Sequence, residues 1–351
     1  MHINSIISII LCLISLELFS QTGGDNIYDF LNLTNSARVA SLGGNNVSIK
    51  DNDLDLTFHN PSLLNSSMDN QLALNYVNYF ADINYGYISY ARDSKEHGTF
   101  AIGLHHINYG EFTETNNIGE ITGQFNAAEY ALNLIWSKPI NSLFSFGINI
   151  KPIYSELEKY KSYGIAADAG VTYFNPDLQL SAALVLKNFG RQLTTYYENN
   201  SEPLPFEVQL GISKKLLHAP FRFSMLVHHL ETYDLSFEEI NDPEPTNSSE
   251  YSDTLIVKHG DKFFDNILRH MIFGVELLPT KNFSVRFGYN FKRRRELLIT
   301  SKPGGAGLSW GVGFRISKFH FNYGRATYHL AGPSNHFSIN TNLSDFYKKT
   351  K

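Results

Sequence analysis

The sequence predicts an all-β protein, a transmembrane antiparallel β-barrel of about 14 strands with an N-terminal hatch segment in its lumen. Three observations lead to this prediction. Apolar and polar residues alternate from residue 70 onward, and short and long connections alternate between the predicted strands. An almost uncharged apolar segment also opens the chain of 351 residues.

The alternation is clearest between residues 282 and 292. Successive side chains of a strand point to opposite faces, so one face of this stretch is apolar and the other is polar or small. The apolar set is Phe283, Val285, Phe287, Tyr289 and Phe291, and the other set is Ser284, Arg286, Gly288, Asn290 and Lys292. In a soluble sandwich the apolar face would form the core, whereas in a membrane barrel it would meet lipid.

The first 20 residues predict a secretory signal peptide. Residues 3–19 are almost uncharged and mostly apolar, and the residues that follow favour cleavage near Ser20 and Gln21. A membrane anchor is the alternative, but the run is shorter than the ~20 residues that a span usually needs. The single cysteine, Cys12, lies in this segment, so the exported chain would hold no disulfide.

Residues 21–67 lack the two-residue period and predict a compact hatch or plug. The paired glycines Gly43 and Gly44 and the turn formers Asn60 and Pro61 suit irregular backbone better than a strand.

Three aspartates in the hatch, Asp51, Asp53 and Asp55, are spaced as in a calcium loop. The glycine and the distal glutamate of an EF-hand are missing, so we expect no metal there. The adjacent pairs His105–His106 and His228–His229 are placed on strands, where neighbours face opposite ways, and neither pair is expected to chelate one ion.

Residues 68–344 form the predicted barrel and residues 345–351 a C-terminal tail. The predicted strands lie near residues 70–80, 83–92, 98–109, 125–138, 143–155, 162–174, 177–188, 204–214, 220–231, 268–278, 282–292, 306–317, 318–328 and 334–342.

The connections decide between sandwich and membrane barrel. Those after even strands are mostly short turns, whereas several after odd strands are long, namely 110–124, 189–203, 232–267 and 293–305. Turns at one end and loops at the other are typical of outer-membrane barrels, and a sandwich has no reason to sort loop lengths in this way. We therefore expect a bacterial outer-membrane protein with extracellular long loops and both termini periplasmic.

The hatch contains the motifs Gly23-Gly24, Tyr28–Leu33, Ser36-Ala-Arg38, Ala40–Gly44, Asp51-Asn-Asp53 and Asn60–Leu64. Together these motifs resemble the N-terminal signature of the PorQ family, outer-membrane components of the type IX secretion system of Bacteroidetes. The wider relatives of that family are PorV and the FadL-type transporters of hydrophobic compounds, which share a 14-stranded barrel with an N-terminal hatch. Within the motifs, the resemblance singles out Ser36, Arg38, Gly43, Gly44, Asp51, Asp53, Asn60 and Pro61 as structural hatch residues.

The resemblance implies a non-enzymatic function. A PorQ-like barrel would hold a PorZ-like protein at the cell surface, within an attachment complex that also contains PorU-like and PorV-like components. That complex removes the C-terminal signal of secreted cargo and joins the cargo to lipopolysaccharide.

The residues themselves also argue against catalysis and nucleic-acid binding. The chain has no Gly-x-Ser-x-Gly motif, and Gly304–Gly307 has no following lysine to make it a phosphate loop. Net charge is −5 and the basic residues form no stripe, so nucleic acid is not an expected partner. We expect no cofactor.

Two loops are candidate docking surfaces for a partner protein or for lipopolysaccharide. One is acidic and contains Glu238, Glu239, Asp242 and Glu244, and the other begins with the basic run Arg293, Arg294 and Arg295. The alternative interpretation of both is solvated loop charge. Reversing the charge of the basic run should weaken partner recovery but not barrel assembly.

Two further functions remain open at this point. A FadL-like outer-membrane channel for small hydrophobic compounds would share the barrel, so the fold alone cannot separate it from an anchor. A channel needs an apolar pocket that leads past the hatch, whereas an anchor needs only a closed lumen and adhesive loops. A soluble exported β-sandwich is the third possibility.

Overall fold

The computed structural model describes residues 26–197, 201–235, 262–297, 305–329 and 332–347. Within these ranges, 14 strands form one closed barrel in which every neighbouring pair is antiparallel. The barrel closes between its first and last strands, where Gln71 lies opposite Asn342. The predicted strand number and barrel class are therefore confirmed.

The strands follow one another around the barrel in chain order. They are β1 (Gln71–Asn78), β2 (Asn84–Ser94), β3 (Gly98–Thr115), β4 (Ile121–Pro139), β5 (Phe144–Leu157), β6 (Tyr160–Asn175), β7 (Leu180–Thr194), β8 (Glu207–Lys215), β9 (Phe221–Val227), β10 (Met271–Leu277), β11 (Phe283–Asn290), β12 (Leu308–Ile316), β13 (Phe319–His329) and β14 (Gly332–Asn342).

The helices are short. They are α1 (Ala37–Ala40), α2 (Lys262–Arg269), α3 (Phe291–Glu296) and α4 (Ser344–Tyr347), with 3-10 turns at Asp29–Asn32, Leu54–Phe58, Pro61–Leu63 and Ser66–Met68. In the part of the chain that the structure describes, no helix is long and apolar enough to cross a membrane.

The surface of the barrel reverses the arrangement of a soluble protein. In β11, Phe287 points outward and is 57% exposed, whereas Arg286 points inward and is only 6% exposed. Large apolar side chains are exposed on the outer face of other strands too, among them Leu74, Ile88, Ile102, Leu134, Leu184, Phe223, Phe273, Trp310 and Ile339. Exposed apolar and buried polar faces are the arrangement of a barrel that spans a bilayer.

The two ends of the barrel differ as the connections predicted. At the end that carries α4, neighbouring strands join through the short turns 95–97, 140–143, 176–179, 216–220, 278–282 and 317–318. The other end, called here the long-loop end, carries the long connections 195–206, 228–270 and 291–307 together with the short ones 79–83, 116–120 and 158–159. The predicted loop 110–124 is mostly strand, because β3 and β4 keep pairing beyond a bulge until Thr115 lies opposite Ile121.

The predicted strand 282–292 ends earlier than its apolar pattern indicates. The side chain of Asn290 accepts a hydrogen bond from Arg293 N at 2.9 Å and caps α3, so the chain leaves the sheet there. The prediction that Phe291 continues the outward strand face was wrong. Its ring instead packs against Tyr289, with the ring centroids 4.6 Å apart.

Residues 26–70, called here the luminal segment, lie inside the barrel. α1 packs on β12, β13 and β14, and the turn Pro61–Leu63 packs on β4, β5 and β6. At the long-loop end, Ile27 N donates to Pro203 O at 2.9 Å, and near the opposite end Asn340 Nδ2 donates to Asp53 Oδ1 at 2.9 Å. The segment therefore runs through the lumen from one end to the other.

The chain ends were predicted to lie together on the periplasmic side. The first described residues lie at the long-loop end, whereas α4 lies at the other. Residues 1–25 and 348–351, including the predicted signal peptide, fall outside the described ranges.

Candidate functional site

A buried cluster of six charges joins the luminal segment to the barrel wall. Arg38 on α1 bonds Asp51 Oδ2 at 2.7 Å and Asp53 Oδ2 at 2.8 Å, both within the segment. Its Nε also bonds Glu276 Oε1 on β10 at 2.9 Å. The members of this cluster, called here the charge cluster, are Arg38, Asp51, Asp53, Arg222, Glu276 and Arg286.

Glu276 is the centre of the wall half of the charge cluster. On either side of its strand, Arg222 of β9 approaches Glu276 Oε2 to 2.8 Å and Arg286 of β11 approaches Oε1 to 2.9 Å. Three cations thus face three anions, and such pairing is what makes buried charge tolerable. Burial raises the pKa of the Asp51 carboxyl, but Arg38 and Arg222 outweigh it and hold that pKa below its usual value.

The three carboxylates at the predicted calcium-like spacing therefore bind groups of the protein itself. Asp51 and Asp53 face a guanidinium, and Asp55 accepts hydrogen bonds from Asn75 at 2.7 Å and Asn340 at 2.9 Å. These carboxylates hold the luminal segment against β1 and β14.

The other predicted hatch residues shape the segment or bring it close to the wall. Ser36 caps α1 through Val39 N, and Asn60 caps the turn that begins at Pro61. Asn60 Nδ2 also donates to Thr172 Oγ1 of β6 at 3.0 Å.

The paired glycines allow the closest approach to the wall. Gly43 and Gly44 have φ of 99° and 91°, the left-handed region that glycine adopts without strain. A Cβ added at Gly288 of β11 would lie 2.1 Å from Gly43 N, so strand and segment touch through their backbones.

An apolar cluster fills the lumen near the long-loop end. Ile27, Tyr28, Phe30 and Leu31 of the luminal segment pack against inward side chains of the wall. Five partly buried residues border the cluster, and they are Leu33, Tyr79, Ile83, Tyr109 and Tyr196. We call this group the mouth cluster; its other members are Val77, Tyr85, Ile107, Ala131, Ile153 and Ala166 of the wall and Leu204 of the connection 195–206.

A polar cavity of about 450 Å³ lies near the opposite end of the lumen. Arg38, Asp51, Arg286, His320 and Asn340 are among the side chains that line it. Such a lining suits water or a polar solute, because an apolar molecule there would leave charged groups without hydration.

Only one of the two sets of predicted docking residues lies within the described ranges. Glu238, Glu239, Asp242 and Glu244 lie outside the described residues. The guanidinium of Arg293 lies 3.8 Å from the centre of the Tyr328 ring, and Arg295 pairs with Asp265 at 2.6 Å. The predicted basic run with Arg294 therefore belongs to α3, and both Arg293 and Arg295 contact their own chain.

The prediction that both histidine pairs lie on strands was wrong for His228 and His229. His105 is buried and its neighbour His106 stacks on Tyr130, as opposite faces of a strand require. By contrast, β9 ends at Val227 and His229 has φ of 54°, which breaks the alternation. The rings of His228 and His229 lie 5.0 Å apart, on the same side of the chain as Glu207.

Sequence reasoning did not single out Glu276 and Arg222. Each stands at an inward position of a strand, Glu276 among the apolar residues of β10 and Arg222 in β9. A charge on the lumen face of a barrel strand needs a buried partner, and that signal could have placed both residues on the candidate list.

No protein-family model matches this chain, and no curated protein matches it. Among solved structures, the toluene transporter TbuX of Ralstonia pickettii is similar with a TM-score of 0.52 at 11% identity, over 90% of this chain and 100% of that one. The toluene transporter TodX of Pseudomonas putida gives 0.48 at 12% identity, over 88% and 96%. A FadL homologue of Pseudomonas aeruginosa gives 0.46 at 12%, over 88% and 98%. At such identities the match to TbuX shows a shared barrel fold.

Proposed function

We propose that the protein is an outer-membrane channel for small hydrophobic compounds. The mouth cluster is the observation that carries this proposal, because it is an apolar cluster at the long-loop end of the lumen, bordered by side chains that are only partly buried and that a ligand entering there would meet first. The similarity in fold to a protein described as a toluene transporter supports the same class of ligand.

The chain's own residues occupy the place where such a ligand would bind. Phe30 and Leu31 are almost fully buried in the mouth cluster. A hydrophobic molecule that enters from the long-loop end gains its affinity by replacing these side chains, since burial of apolar area is its main driving force. Passage beyond the cluster then requires the luminal segment to shift, and the charge cluster opposes that shift.

Competition between ligand and segment can be measured with Phe30→Ala. Truncating a buried phenylalanine weakens its packing by about 3–5 kcal/mol, so the competing segment leaves more easily. We expect detergent-purified protein to bind radiolabelled toluene, and Phe30→Ala to bind it at least about tenfold more tightly.

Leu56→Ala is the matched control, because Leu56 is buried in the same segment but belongs to a separate apolar cluster with Val39 and Leu63. It should leave the affinity for toluene unchanged. Absence of saturable binding in every variant, or weaker binding by Phe30→Ala, would contradict a ligand site in the mouth cluster.

A second candidate function is the anchoring of a secretion partner at the cell surface. The observation that favours it is the charge cluster, which fixes the luminal segment to the wall as a permanently closed anchor would need. The partner would be a PorZ-like protein, with PorU-like and PorV-like components and lipopolysaccharide nearby.

The anchor can be tested by co-purification from outer membranes. Arg295 is the suitable residue to reverse because its side chain is 44% exposed on α3, whereas Arg293 is committed to Tyr328 and Gly43. Arg295→Glu should lower recovery of a PorZ-like partner without changing barrel assembly. Arg92→Glu, an exposed arginine at the opposite end, should leave recovery unchanged. Equal recovery with both variants would exclude α3 as the docking surface.

A further inference from the structure

A cluster of potential metal ligands lies at the long-loop end, apart from the mouth cluster and the charge cluster. Glu207 begins β8, and His228 and His229 follow the last residue of β9. Glu207 Oε1 lies 3.6 Å from His228 Nδ1 and 3.9 Å from His229 Nε2. One potential ligand atom of each residue lies within 4.8 Å of those of the other two.

The residue types match a known kind of site. Two imidazoles and one carboxylate are a common three-ligand set for zinc, with the fourth tetrahedral position left to water. Bonds of about 2.0–2.1 Å place tetrahedral ligand atoms roughly 3.3 Å apart. Side-chain movements of the order of 1 Å would therefore bring the three ligand atoms to the spacing that zinc requires. Imidazole ligands favour zinc and its transition-metal neighbours over magnesium or calcium.

The hydrogen bonds around His229 are those that a metal-binding histidine requires. Glu231 Oε1 lies 2.9 Å from His229 Nδ1, and this contact leaves Nε2 directed towards Glu207. A carboxylate on the second ring nitrogen fixes the tautomer and raises the basicity of the ligand nitrogen. Glu231 also accepts from Val208 N at 2.8 Å, so its own position is fixed.

His228 completes the set of three ligands and is almost fully buried, with 5% exposure. Its Nδ1 faces Glu207 and is the atom that would bind the ion. Its Nε2 has no hydrogen-bond partner among the described residues, so no hydrogen bond from that nitrogen opposes the small ring movement that metal binding requires.

Two lysines lie near the cluster, and their positive charges would repel a bound cation. Lys187 lies opposite Glu207 in the β7–β8 register, and Lys292 Nζ lies 3.3 Å from His229 Nε2. Lys292 also pairs with Glu296 at 3.7 Å, so it has an alternative partner when it moves away from His229. Three carboxylates, those of Glu207, Glu231 and Glu296, stand against the two lysines, so an ion would enter a site whose side chains carry one net negative charge.

We propose that Glu207, His228 and His229 bind a divalent transition-metal ion of the zinc class, with Glu231 orienting His229. The ion would tie the beginning of β8 to the end of β9 at the point where the chain enters the long connection 228–270. This site is independent of the mouth cluster and of the charge cluster, so its presence or absence leaves the proposed channel unaffected.

The test is zinc titration of the full-length barrel, purified in detergent without a histidine tag and stripped with a chelator. Calorimetry should give one Zn²⁺ per chain, and Co²⁺ should give the absorption of a tetrahedral complex. Glu207→Gln and His229→Gln should each lower the affinity at least about tenfold, and Glu231→Gln by about 10–100-fold. His218→Gln, an exposed histidine in the turn at the opposite end, should bind zinc normally.

Heat-modifiable migration on gels verifies that each variant is assembled, and His229→Gln decides the matter if Glu207→Gln fails to assemble. Absence of saturable zinc binding would overturn the proposal. So would equal affinity in His229→Gln and His218→Gln, or binding of Ca²⁺ and Mg²⁺ as tight as that of Zn²⁺.

Discussion

Replacing Arg38 with methionine is expected to destabilise the assembled protein by about 3–5 kcal/mol, the usual cost of removing one partner from a buried ion pair. The loss falls on three carboxylates at once, because Asp51, Asp53 and Glu276 all bond this guanidinium. Methionine keeps much of the side-chain volume, so the effect reports charge rather than a cavity. The temperature of the heat-modifiable gel shift measures it.

The same variant should release the luminal segment. With two cations left against three anions, the segment loses its strongest contact to β10, and planar-bilayer recordings should show higher conductance than the unmodified protein. Arg92→Met is the control, since this arginine lies near the same end but is 64% exposed and pairs with Asp69 at 3.7 Å. An unchanged gel-shift temperature in Arg38→Met would mean that the charge cluster does not hold the segment.

Phe287→Arg is expected to cost about 2–4 kcal/mol, the penalty for arginine on the lipid face near the middle of a bilayer. Phe287 lies in the centre of β11, points outward and is paired in register with Trp310 and Val275. Phe283→Arg is the matched control at the end of the same strand, where the penalty falls to about 0–1 kcal/mol. Urea unfolding from lipid vesicles measures both.

The penalties at Phe287 and Phe283 differ only if Phe287 lies deeper in a bilayer, so comparing them tests whether the outer face of β11 meets lipid. Equal costs at Phe287 and Phe283 would argue that the outer face of β11 does not meet lipid. A charge at Gly288 cannot serve as the lumen-side control, because Gly288 touches the backbone of Gly43 and any side chain there would displace the luminal segment.

The barrel could be predicted because its signal is local. Each strand carries its own two-residue alternation, and the turns at one end are short regardless of what the loops do. The ends of the strands were harder to predict from the sequence. Apolar residues continue the pattern of β11 as far as Phe291, but capping by Asn290 ends the strand, and the alternation carries no information about that competition.

The candidate site could be predicted only in part. Family resemblance pointed to Arg38, Asp51 and Asp53, but it could not supply Glu276, which is 238 residues from Arg38 along the chain. Contacts between an irregular segment and inward strand residues have no periodic signature. The rings of His228 and His229 approach each other because His229 has a left-handed backbone conformation. A prediction that places both residues on a strand excludes that conformation.

The luminal segment also constrains how the protein assembles. It bonds both strands of the seam where the barrel closes, since Asn75 of β1 donates to Asp55, and Ser338 of β14 accepts from Ala37 N at 2.9 Å. A barrel that closed without the segment would leave these polar groups to water instead of to their partners in the chain. We therefore expect the seam to be more stable with the segment in the lumen, so that residues from the beginning of the chain support the contact between its first and last strands.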